Sequence, residues 1–66
     1  MYMYRITFYN NDINKKESFM WSTFKEALKQ YLEILETPYW EADICDLKIL
    51  KNGKDITEKV NRMLEW

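Results

Sequence analysis

Between Lys29 and Lys48 the chain carries no basic residue, and in that gap lie Glu33, Glu36, Glu41, Asp43 and Asp46. Tyr39 and Trp40 stand among them. Carboxylates with no cation interleaved add their potentials, and a summed negative field speeds encounter with a positive surface. Trp and Tyr are among the anchor types that dominate interface energies. These residue types at this spacing do binding chemistry. Glu33, Glu36, Tyr39, Trp40, Glu41 and Asp43 are therefore the candidate contact residues for another protein with a basic surface. The competing reading is an ordinary solvated edge.

Covalent chemistry has few candidates. The sequence has no His, so the usual general base near neutral pH is missing. Cys45 stands mid-strand between Ile44 and Leu47 and reads as a small buried hydrophobe. Gly53 is the one glycine, too few for a phosphate-cradling loop. Glu41 and Asp43 could meet a hard cation, but they lack the further loop oxygens of a calcium site. No catalytic residue, cofactor or metal site is expected, and the chain reads as non-enzymatic.

The elements that position the acids follow from hydrophobic period. In the stretch from Thr23 to Glu36, Phe24, Ala27, Leu28, Tyr31, Leu32 and Leu35 fall on one helical face. Thr23 and Glu26 form a capping-box pattern, and Pro38 ends the helix. Residues 1–10 alternate, with Tyr2, Tyr4, Ile6 and Phe8 on one face and Met3, Arg5, Thr7 and Tyr9 on the other. A loop of about five residues then leads to a second extended segment up to Ser22, so 1–22 reads as a β-hairpin. A third strand is expected over 43–51, with Cys45, Leu47 and Ile49 inward and Ile44 and Leu50 outward. Asn52-Gly53 is a tight-turn signal that leaves a fourth strand possible. The preferred reading continues into a short helix over about 56–65, opened by an Asp55–Glu58 capping box.

The result is an α+β domain spanning residues 1–66, of order β-β-α-β-α. A three-stranded, mainly antiparallel sheet has its most apolar strand, the first, at the centre. Leu28, Leu32, Phe8 and Ile6 are expected to be buried together. The second sheet face, with Met3, Tyr9, Met20, Ile44 and Leu50, needs a cover. That cover is either the last helix, with Trp66, or a second copy or partner.

Sixty-six residues bury only about 60% of the unfolded surface. A single Cys allows no disulfide within the chain. Eleven aromatic residues offset this, because each ring buries a large area. Oligomerisation is the other common remedy, and a homodimer is a possible assembly. No apolar run approaches a membrane span or a signal peptide, so a cytoplasmic setting and no membrane partner are expected. A net charge of −1 and a pI near 5.3 argue against direct nucleic-acid binding. Asn, Ile, Lys, Tyr and Phe make up 27 of the 66 residues, a bias of AT-rich genes.

The compact acidic format and the ββα start YRITFYN…SFMWSTFKEAL resemble the small accessory proteins of phages and mobile elements in low-GC bacteria. That resemblance implies a protein that docks on a host protein and modulates or blocks it. Some such proteins mimic the charge of DNA, but the modest net charge here departs from strong mimics. It implies no role for any particular residue. A nucleic-acid-associated accessory module and a purely structural homodimer are the alternatives.

Overall fold

Tyr4, Ile6 and Phe8 alternate with polar neighbours, and this apolar face forms the middle of the molecule. The structure, a computed structural model, describes residues 3–38 and 40–64. Strand β1 (Tyr4–Asn10) lies between β2 (Lys15–Trp21) and β3 (Ile44–Lys51), antiparallel to both. The central place expected for the first strand is therefore observed. Helix α1 (Phe24–Glu36) links β2 to β3, so these two parallel strands straddle β1 as a split β-α-β unit. The expected strand Tyr2 and the terminal Trp66 lie outside the described residues.

The sheet has four strands rather than three. Asn52 and Gly53 both take positive φ, 50° and 84°, and return the chain as a two-residue hairpin. Strand β4 (Lys54–Asp55) then pairs with the end of β3, giving the order β2-β1-β3-β4. The element order is thus β-β-α-β-β-α. Helix α2 (Thr57–Leu64) follows at once. Its opening is not a capping box. Asp55 accepts from the N–H of Thr57, two residues on, while the Thr57 hydroxyl accepts from the N–H of Ile49 on β3. The helix start is thereby tied to the sheet.

Asp55 also carries a pH signature. Thr57, through its side chain and then its backbone N–H, holds the Asp55 carboxyl below the usual carboxylate range. A depressed folded value adds stability above the unfolded value, and that stability is lost as pH falls through the folded one. The protection factors of α2 amides, their exchange rates taken relative to the intrinsic rate at each pH, should therefore fall in acid. Asp55→Ala should lower these protection factors at neutral pH and flatten their fall in acid, measured by hydrogen exchange.

Both helices cover one face of the sheet. Tyr4, Ile6, Phe8, Ala27, Tyr31, Ile49 and Val60 form the buried core. The Tyr31 hydroxyl donates to Asn61 of α2 at 2.7 Å, joining the two helices. The helix is rolled relative to the expected core. Ala27 and Tyr31 are buried, Ile34 packs against them, and Leu32 is only half-buried while Leu35 is half-exposed. Residues on the other flank of α1 were expected inside because the apolar stripe is wider than the sheet can cover.

A second departure lies in β3. Asp46 has φ 56°, and the β1–β3 register slips between Thr7 and Tyr9, so Asp46 and Leu47 together oppose Phe8. Such a bulge inserts one residue and reverses the alternation beyond it. Ile44 consequently packs on the core, and Cys45, expected inside, is exposed beside Tyr9. Its Sγ lies 3.6 Å from Asn11 Nδ2.

Neither helix covers the outer sheet face. Arg5, Thr7 and Tyr9 of β1 meet Met20, Ser18 and Lys16 of β2 there, with Leu50, Lys48 and Cys45 on the other side. Met3 and Met20 are left exposed. Of the two covers considered for this face, the described part of the last helix does not provide one, because α2 packs beside α1. No described helix is long and apolar enough to cross a membrane.

Candidate partner-binding surface

Helix α1 runs along β1. Phe24 at its start meets Tyr4, with ring centroids 5.5 Å apart, while Ile34 near its end lines a groove with Phe8. The C-terminal end of α1, the β1–β2 turn and the start of β3 therefore share one end of the domain. The N-terminus of α1 is capped by Thr23, whose hydroxyl accepts from Glu26 N–H. The other end is closed by Thr37, which donates its N–H to the Ile34 carbonyl and its hydroxyl to the Glu33 carbonyl. No basic residue occupies the last turn, so Glu33 and Glu36 face a helix terminus that disfavours negative charge.

The path from helix to strand is held tightly. Glu41 and Ala42 N–H groups both donate to the Pro38 carbonyl, at 3.0 and 3.2 Å. This sets Trp40 at the tip, 75% exposed, the highest value among the exposed large hydrophobic residues described. Glu33, Glu36, Glu41 and Asp43 are all exposed. Tyr39 lies outside the described residues.

The fold adds one acid and removes another. Asn11 donates its N–H to the Asp43 carbonyl at 2.8 Å and its Nδ2 to the Asp43 carboxylate at 3.2 Å. Asp43 N–H in turn donates to the Asp12 carboxylate at 3.2 Å. Asp12 thus joins the cluster from far away in sequence. Local spacing could not find it. Asp46 leaves the cluster, because at the bulge it pairs with Lys48 at 3.7 Å. The hairpin also brings Lys15 and Lys16 to this end, since Lys15 pairs with Asn10 and Asn10 with Ile44. Five carboxylates, those of Asp12, Glu33, Glu36, Glu41 and Asp43, still outnumber these two lysines. Among the described residues none of the five is in an ion pair, whereas Arg62 pairs with Glu58 and Lys48 with Asp46.

Family descriptions, curated proteins and solved structures give no match to this chain. The chemistry of the surface must be argued from its own residues.

No group of three or more His, Cys, Asp or Glu among the described residues is arranged to hold a metal ion. The acids occupy exposed positions at the end of the domain that also displays the Trp40 indole. What such an arrangement does well is attract a cationic surface and then hold it through an aromatic anchor.

Proposed function

We propose that this chain is a small non-enzymatic protein-binding module that docks on a partner with a basic surface through its acidic end. The supporting observation is Trp40, 75% exposed at the end of the domain that also carries Asp12, Glu33, Glu36, Glu41 and Asp43, none of them in an ion pair among the described residues. Burial of an indole in a partner pocket supplies the affinity. Glu33, Glu36, Glu41, Asp43 and Asp12 supply rate and selectivity, because exposed charges act mainly on encounter. Docking of this kind suits a small accessory protein of a phage or mobile element that modulates or inhibits a host protein.

Capture from a lysate of a low-GC bacterium, run side by side with the parent and with Glu36→Lys/Glu41→Lys, tests the proposal. A partner retained by the parent and lost by the variant at low salt is expected. Trp40→Ala should then speed dissociation of that partner by about tenfold or more, the scale of an aromatic hot spot. Equal retention by parent and variant would reject the acidic end as the site.

A second reading is favoured by the sheet face that neither helix covers, where Lys16 lies opposite Tyr9 and Arg5 and Lys48 stand further along the same face. A single-stranded nucleic acid would use such cations and a stacking ring. Its signature is affinity that falls steeply with salt and is lost in Tyr9→Ala but kept in Trp40→Ala.

A further inference from the structure

The two edges of the sheet differ. On one side β4, with two residues, pairs only with Leu50 and Lys51, and the rest of that edge is the start of β3, broken by the bulge at Asp46, whose φ is 56°, and flanked by the charge of Lys48. On the other the edge strand is β2, with seven residues, exposed or half-exposed throughout. Lysines blunt an edge against pairing. Here both lysines, Lys15 and Lys16, stand at one end of β2, and Phe19-Met20-Trp21 at the other end is unguarded. Phe19 and Met20 are each about half exposed. Behind them an open groove of about 350 Å³ is lined by Phe8, Phe19, Trp21, Gln30 and Ile34. The Trp21 indole N–H is buried and has no acceptor among the described residues.

We propose that the occupant of this edge is a second copy of the chain, paired antiparallel through β2 and centred on Ser18. The register follows from symmetry and charge. A twofold axis relating two antiparallel edge strands stands perpendicular to the sheet, so each residue meets one of the same facing. Registers are then centred on a single residue opposite its own copy. A centre at Lys16 or Glu17 sets like charges directly opposite, which is destabilising. A centre at Phe19 or Met20 leaves part of β2 beyond the end of the partner strand. The centre at Ser18 pairs all seven residues: Lys15 with Trp21, Lys16 with Met20, Glu17 with Phe19. No like charges are then directly opposite, and each Lys15 lies across from Trp21 of the copy, a residue type with which a lysine pairs favourably. Two four-stranded sheets become one of eight strands with all helices on one side. By helical spacing Glu26 and Glu33 fall on the same flank of α1 as Gln30, which lines the groove at this edge, and their charges oppose close approach of the two helices. The pairing is therefore weak and concentration-dependent.

The test uses the whole chain. In a Cys45→Ser background, Ser18→Cys places two thiols within the separation a disulfide spans. Mild oxidation should convert most of it to a covalent dimer. Met20→Cys, several residues from its own copy in this register, should stay largely uncoupled. Light scattering of the unmodified chain should give a mass rising with concentration toward twice 8.2 kDa. Ser18→Lys, a change at an exposed position, should hold the mass at one chain with an unaltered circular-dichroism spectrum. A parent that stays at one-chain mass at several hundred micromolar would overturn the proposal. So would Met20→Cys coupling as readily as Ser18→Cys, or a Ser18→Lys variant that remains dimeric.

Discussion

Tyr31→Ala should cost about 3–5 kcal/mol, the range for removing a large aromatic side chain from a core. Tyr31 is 2% exposed and stands where α1, the sheet and α2 meet. Its ring packs in the core and its hydroxyl donates to Asn61, so one side chain joins both helices. A domain of this length has a total stability of only about 3–10 kcal/mol. Urea unfolding should show the variant near or beyond the limit of folding at 25 °C. Leu32→Ala is the contrast. Leu32 is half-buried and outside the core cluster, so its truncation should cost well under half as much. Equal losses at the two positions would mean that α1 is rolled the other way. Tyr31 also carries an alkaline signature. Burial holds its phenol above the usual value near 10, with Asp55 adding to the effect and the Asn61 bond opposing it. Favouring the neutral form adds stability that is complete below the unfolded value and is lost as pH rises through the folded one. Tyr31→Phe should lose a hydrogen bond, about 0.5–1.5 kcal/mol, and with it this share of the alkaline loss.

Ile6→Ala should cost about 2–5 kcal/mol. Ile6 is fully buried in the central strand and lies directly opposite Ile49 on one side and Phe19 on the other. Ile49 is fully buried as well. The two residues share one packing site across β1 and β3, so their truncations should not add. A double-mutant cycle in chemical denaturation should give a coupling of about 0.5–3 kcal/mol. Strict additivity would mean that the pair is not in contact in the folded protein.

Long-period features were legible in the sequence, and single-residue events were not. The alternation of Tyr4, Ile6 and Phe8 gave a central strand, and the apolar stripe with Thr23 and Pro38 gave α1 to within a residue. The roll of α1 was not legible, because Phe24 to Leu35 offer more apolar arc than one sheet face can bury. Strand β4 is two residues long, and hydrophobic period has nothing to measure over two residues. The bulge at Asp46 turned Cys45 out and Ile44 in. An Asp tolerates the left-handed region better than most residues, but nothing local requires it to adopt that region there. At the candidate site the acids of one segment were visible together. Asp12 was not, since its contact with Asp43 exists only once β1 and β3 pair. The two hairpin lysines that enter the same end were missed for the same reason.

The central claim, that the acidic end receives a basic partner, is tested most directly by association rates. Stopped-flow binding of the captured partner would be followed across ionic strength for the parent and for Glu36→Lys/Glu41→Lys. Long-range attraction between exposed charges is screened beyond about 10 Å at 0.1 M salt. The parent rate should therefore fall as salt rises. The variant should start slower, vary less with salt, and approach the parent at high salt. Identical rates and identical salt slopes in two folded proteins would contradict the claim.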